Sequence, residues 1–124
     1  MPVGLDDYLK FNAEALKLRS YRQELIAANI ANGDTPNYKA VDINFAQALR
    51  AATEPPSAGG AGGAAAANVP ELLYRTPAQS SIDGNSVEMD AERASFADNT
   101  VRYEAAMRFL SGQLRTLLAA VQGQ

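Results

Sequence analysis

Apolar residues recur at helical spacing in two stretches, one at each end of the chain. From residue 6 to about 32, Tyr8, Phe11, Ala15, Leu18 and Leu25 fall three and four positions apart or at multiples of that spacing, with Leu9, Leu16, Ile26 and Ile30 as a second stripe beside them. Asp6 and Asp7 suit the positive end of a helix dipole. Gly33 can take the left-handed conformation that ends a helix, and Pro36 prevents the helix from resuming. The spacing predicts a helix over 6–32.

The second stretch, 86–122, carries the longer pattern. Met89, Arg93, Phe96, Thr100, Tyr103, Met107, Leu110, Leu114, Leu117 and Val121 alternate four and three apart. All but Arg93 and Thr100 are apolar, a heptad seam sustained along the whole stretch. Asn85 with Glu88 resembles a capping box, and Glu88, Asp90 and Glu92 favour the N-terminal turn. Asp98–Arg102 and Glu104–Arg108 are i,i+4 pairs in the better orientation. At about 1.5 Å per residue the two helices would be roughly 40 and 50 Å long.

Between them the chain reads as irregular. Val41, Ile43 and Phe45 alternate as in a short strand, with room for one helical turn at 45–50. Residues 51–68 are rich in Ala and Gly and hold no large side chain, so they cannot offset the entropy of being ordered and read as a mobile loop. Residues 69–85 are extended or turning, with Pro70 and Pro77 as breakers and Asp83-Gly84 as a turn. The expected fold is all-α: two long terminal helices, 1–32 and 86–124, packed as a coiled-coil-like pair and joined by an irregular, partly low-complexity middle, 33–85.

Such a pair would bury one stripe from each helix and leave Leu9, Leu16, Ile26 and Ile30 on the first and Ala106, Phe109 and Leu118 on the second. A two-helix hairpin alone has too little core to be more than marginal. The leftover stripes therefore predict packing between subunits. Gly112 fits either the close approach of a neighbour or a local kink.

Composition narrows the chemistry. With no His and no Cys there is no Ser–His triad, thiolate nucleophile, zinc site of the usual N/S type or Glu-x-x-His di-iron site. A net charge of −3 without a basic patch argues against nucleic acid. Glu88 and Glu92 would share a helix face as a carboxylate pair, but helix-dipole capping is by far the better account of them. Ser80 and Ser81 have no base to activate them, and Asp83-Gly84-Asn85 lacks the spacing of a calcium loop. No catalytic, cofactor or metal site is expected, and no small-molecule substrate. No apolar run approaches the roughly 18–20 residues of a membrane span, and residues 1–10 lack the apolar region of a Sec-type signal peptide. The length of 124 residues allows one domain, and much of its 47% apolar content is alanine.

At the end of the first predicted helix stands Ala28-Asn29-Ile30-Ala31-Asn32-Gly33-Asp34-Thr35-Pro36-Asn37-Tyr38-Lys39. Asn29 and Asn32 lie one turn apart, able to bond backbone groups of the departing chain, and Tyr38 offers a ring that can pack back. Any one of these residues would suit an ordinary helix end. The whole string resembles the signature of the axial proteins of the bacterial flagellum, the rod, hook and hook-associated subunits. Asp83-Gly84-Asn85-Ser86-Val87-Glu88-Met89-Asp90, followed by Phe96-Ala97-Asp98-Asn99 and Arg102-Tyr103-Glu104-Ala105, is similar to the rod members, the proximal ones in particular. The resemblance covers 5–50 and 70–124. Asn37 stands where a glycine is usual, and asparagine tolerates left-handed backbone.

The resemblance implies a non-enzymatic subunit of a helical tube, its terminal helices packed inward and its middle facing out. It implies export, without a Sec signal, through the flagellar type III apparatus. Assembly would come next, in the periplasmic rod of the basal body, with copies of itself, other rod proteins and the adapter at the membrane ring. The residues of interest are then interface residues. They are Asn29, Ile30, Asn32, Thr35, Pro36 and Tyr38 at the helix-to-loop corner, and Phe96, Tyr103, Met107, Leu110, Leu114, Leu117 and Val121 along the assembly seam. Periodicity alone also admits a soluble coiled-coil adaptor that dimerises through that seam.

Overall fold

A computed structural model describes residues 4–54, 70–77 and 81–123. The elements run α1 (Leu5–Ala31), β1 (Val41–Ile43), α2 (Phe45–Thr53), β2 (Leu72–Tyr74) and α3 (Met89–Val121). The two long helices pack against each other, as the apolar periodicity predicts. Their side-chain bonds set the direction: Asn12 meets Gln113, Gln23 meets Thr100 and Asn29 meets Glu92, so the pair is antiparallel. The middle holds more structure than one turn and one strand. β1 and β2 pair antiparallel, with Val41 opposite Tyr74, Asp42 opposite Leu73 and Ile43 opposite Leu72. Asn44 caps α2 by accepting from the Gln47 amide, and the guanidinium of Arg19 sits 4.1 Å above the Phe45 ring, tying α2 to α1. Of residues 51–68, 51–53 close α2 and Glu54 is its C-cap; the remainder lies outside the described residues.

Two local expectations need correction. Gly33 does not take the left-handed conformation; Asn32 is the C-cap of α1 at φ −102°, and the left-handed residue of this turn is Asn37, at φ 63°. A Cβ at Gly33 would meet the Met89 Cε, the tip of a flexible side chain that can move aside, so space does not by itself require glycine there. The capping box at Asn85 does not form either. α3 begins three residues later, with Glu88 as N-cap, and the Asn85 side chain is turned toward the end of α1.

The face that α3 turns to α1 also differs from the apolar seam. Tyr103, Leu110 and Leu117 lie half-buried against α1, but the second row is Glu92, Asn99, Ala106 and Gln113, one position before the expected Arg93, Thr100, Met107 and Leu114. Glu92 and Asn99 are fully buried, whereas Met107, Leu114 and Val121 are exposed. The cause is physical: each polar side chain of this row has a partner on α1, and a partner is invisible to apolar periodicity. On α1 the same correction applies to Ile26, expected to be left over but buried completely. Asp98 pairs with Arg102 at 2.9 Å, while Glu104 and Arg108 do not pair.

Burial is uneven. Among the described residues the buried apolar side chains are Leu18, midway along α1, and Ile26, Ala40 and Ile43, toward the end of the hairpin where α1 stops and α3 starts. At about 1.5–3 kcal/mol for each large side chain, this is a thin core. At the opposite end Leu5, Tyr8 and Phe11 of α1 and Phe109, Leu114 and Leu118 of α3 are all about half exposed.

Candidate functional site: a polar corner and an uncovered flank

Where α1 ends, the chain must turn, leave its helix and bring β1 back alongside. Asn29 organises that turn. Its carboxamide is fully buried, and all of its hydrogen-bonding positions are used. Nδ2 donates to the Val41 carbonyl at 2.8 Å and to Glu92 Oε2 at 3.2 Å, while Oδ1 accepts from the Val41 amide at 3.1 Å and from the Tyr38 hydroxyl at 3.2 Å. In the β1–β2 register the Arg75 amide bonds the Ala40 carbonyl, so the backbone groups of Val41 point away from β2. Asn29 takes both of them, as a neighbouring strand would.

Asn85 does the complementary task at the helix end. Its Nδ2 lies 2.9, 3.1 and 2.7 Å from the carbonyls of Asn32, Gly33 and Thr35, groups that the end of α1 leaves without helical partners. Its Oδ1 accepts from the Val87 amide. Ser86 continues the clasp, donating its amide to the Tyr38 carbonyl and accepting from the Ala40 amide. Thus the approach to α3 is sewn onto the exit from α1. Asn32 bonds back to its own helix at Ala28 and accepts from the Thr35 hydroxyl; Ile30 is half-buried and Pro36 exposed.

Beneath the corner runs a chain of charge. Arg22 holds Asp42 through two nitrogens at 3.0 and 3.2 Å, and Arg75 reaches Asp42 at 2.6 Å with one nitrogen and Glu92 at 2.6 Å with the other. The Arg75–Glu92 contact is an ion pair by distance without the geometry of a directed hydrogen bond. Burial by itself would raise the Asp42 pKa. The bonds from Arg22, the Ile43 amide and Arg75 outweigh it and hold the carboxyl below its ordinary value of 3.8. Burial, then the nearby Arg102 and Arg22, lower the Arg19 pKa below the usual arginine value. At the exposed Asp83, the Ser81 hydroxyl and the Asn85 amide lower the carboxyl.

This network has no geometry for bond making or breaking. Its acids are neutralised by arginines: Glu92 is buried against Arg75, and Asp42 is held by Arg22 and Arg75. Among the described residues no group of three or more His, Cys, Asp or Glu is placed to hold a metal ion, and no helix is long and apolar enough to cross a membrane.

The sequence motif brings Asn29, Asn32, Thr35 and Tyr38 together at the corner, joined by Arg22, Asp42, Arg75, Asn85 and Glu92, none of which was expected there. The seam residues divide. Tyr103, Leu110 and Leu117 pack toward α1; Phe96, one heptad before Tyr103 in the same row, is exposed, and Met107, Leu114 and Val121 face outward on one flank of the pair. A groove of about 570 Å³ opens between the helices at the exposed end, lined by Leu5, Tyr8, Leu9, Phe109, Gly112 and Leu117. A Cβ at Gly112 would meet nothing within 4 Å. No packing among the described residues calls for glycine there.

Residues 9–39, which span most of α1 and the corner, match a family described as flagella basal body rod protein. Similarity to individual proteins runs much further. The flagellar basal body rod protein FlgB of Proteus mirabilis is 42% identical over 131 residues, covering 95% of this chain and 96% of that protein. FlgB of Salmonella typhimurium is 43% identical, covering 96% of each chain, and FlgB of Escherichia coli is 43% identical, covering 95% of each. Identity at this level along both helices and the corner between them places the chain in the FlgB family of flagellar basal body rod proteins.

Proposed function

We propose that this chain is a structural subunit of the proximal rod of the flagellar basal body, assembling helically with itself and with other rod proteins to form the drive shaft. It is not an enzyme. The observation that carries the reading is the uncovered flank. Two long helices pack on each other through a half-polar seam, and the more apolar side of α3, with the N-terminal turns of α1, is left for neighbours. Exposed apolar surface of this kind marks a site of association. The name shared by relatives matching over nearly the whole chain supports a rod component over a soluble coiled-coil adaptor. The proposal includes the adapter at the membrane ring as a partner and export through the flagellar type III apparatus, without a Sec signal. It also treats the corner motif and the outward seam residues as interface elements.

Complementation of a strain lacking the gene tests this. The wild-type chain should restore swimming and complete basal bodies. Leu114→Asp should fold as a monomer, because Leu114 is 47% exposed, and should fail to restore either. Normal swimming of the deletion strain, or full complementation by the variant, would refute the reading.

A further inference from the structure

The β1–β2 sheet has one edge left over. Asn29 bonds both backbone groups of Val41, and the Ile43 amide bonds the Asp42 carboxylate, so the edge of β1 away from β2 is occupied. In an antiparallel pair, residues directly opposite each other turn their backbone groups either toward one another or both away. Val41 faces away from β2, so Tyr74 opposite it faces away from β1; by the same alternation so does Leu72, opposite Ile43, while Leu73 points inward. The N–H and C=O groups of Leu72 and Tyr74 therefore line an open edge, and no hydrogen bond reaches them among the described residues. Natural strand edges are commonly blunted by a charged side chain or a proline. Leu72-Leu73-Tyr74 has neither, and all three side chains are exposed, Tyr74 by 72%. Beside this edge a groove of about 320 Å³ opens between α1, α2 and β2, lined by Leu18, Tyr21, Ala48, Pro70 and Leu73 among others.

We infer that this edge takes an extended segment of a different basal-body protein as a third strand. Extended backbone is what presents N–H and C=O groups at the spacing of Leu72 and Tyr74, roughly 7 Å apart along a strand. The residue placed opposite Leu73 would form the closer, non-hydrogen-bonded pair, its side chain on the side of the sheet where Leu73 meets the groove. An apolar side chain fits that position, against Leu18, Tyr21 and Leu73. A second copy does not fit a rod. Two copies could join β2 to β2 only about a two-fold axis, since each has this one strand edge to give among the described residues, and β1 has none to offer in its place. Neighbours in a polar helical tube are related head to tail, without such an axis. This rests on the rod reading, both for excluding a second copy and for the neighbour that brings the strand.

Amide hydrogen exchange of the wild-type chain is compared between the purified protein and basal bodies isolated from the complemented strain, with the inward Leu73 amide as internal reference. The Leu72 and Tyr74 amides should exchange freely in the purified chain and on the order of ten-fold more slowly in basal bodies. Tyr74→Pro removes an outer N–H and no ladder bond, a change that edge strands tolerate. The purified variant should keep its helical circular dichroism yet restore swimming several-fold less well than wild type. Tyr74→Thr keeps the amide and should complement fully. Unchanged exchange at Leu72 and Tyr74 in basal bodies that contain the chain, or full complementation by Tyr74→Pro, overturns the inference and leaves the rod reading standing. Basal bodies that lack the chain overturn the rod reading and the inference with it. Protection of the same amides in a dimer of the purified chain would give the edge to a second copy and overturn the different partner. If Tyr74→Pro does not fold, the wild-type exchange comparison decides alone.

Discussion

Arg75 joins the β2 end of the middle segment to the helix pair, and its removal gives a sharp test of the buried charge chain. Arg75→Leu leaves the Glu92 carboxylate, whose side chain is 1% exposed, with the Asn29 amide as its one side-chain partner among the described residues. Breaking a buried pair from one side costs about 3–5 kcal/mol, since the remaining charge stays desolvated. The low end applies here, because Arg75 itself is 24% exposed and Asp42 keeps Arg22. A loss of about 3 kcal/mol is a large part of the roughly 5–15 kcal/mol of a typical domain. Adding Glu92→Gln should return more than half of it, because the amide needs no counter-charge and its oxygen can still accept from Asn29. Urea unfolding monitored by far-UV circular dichroism on the four members of the cycle measures this. A coupling of about 2 kcal/mol is expected for groups in contact. The reasoning fails if Arg75→Leu lies within about 0.5 kcal/mol of wild type, or if the two costs simply add.

The same geometry sets further outcomes. Asn85→Ala removes the side-chain donor that the Asn32, Gly33 and Thr35 carbonyls share, though the first and last keep a backbone amide, and should cost about 2 kcal/mol, with faster amide exchange at Thr35 and Tyr38; Asn85→Asp should cost more, by turning a carboxylate toward those carbonyls. Asp42 has a folded pKa below its unfolded value, so its contribution is complete above 3.8 and is lost as the pH falls through that value toward the folded pKa. Asp42→Asn should lower the urea midpoint at neutral pH and flatten its acid decline. Gly112→Ala meets no steric obstacle among the described residues and should raise monomer stability by about 1 kcal/mol in thermal unfolding, while impairing complementation if a neighbour packs against that glycine.

Both long helices were legible because their periodicity is local and their boundaries, Asn32 to Pro36 after α1 and the acids Glu88, Asp90 and Glu92 at the start of α3, are chemical. The exact face of α3 was not. An apolar count places Met107 and Leu114 in the contact and Asn99 and Gln113 outside it, and only the α1 partners of the latter two reverse that order. The spacing of Asn85, Glu92, Asn99 and Gln113, at multiples of seven, was nevertheless open to inspection as a polar row inside a helix pattern. Asn29 and Tyr38 were legible as a motif but not as a mechanism, since the backbone they satisfy, at Val41, is brought alongside only by the fold. Arg22, Asp42 and Arg75 left no local trace. Each is an ordinary surface residue until β2 brings Arg75 back from 33 positions beyond Asp42.

The grip of Asn29 on Val41 has a mechanical side. A helix that ends in a free loop can spin about its axis without moving the next element, because the loop absorbs the twist. Here a twist of α1 would shear the two bonds to Val41 and the bond to Glu92 together, while the Asn85 clasp holds the last carbonyls of the same helix. Torsion entering along α1 is thereby passed to the short sheet and to α3 rather than dissipated at the joint. A subunit jointed in this way is stiff to rotation at the corner even though its buried apolar core is small.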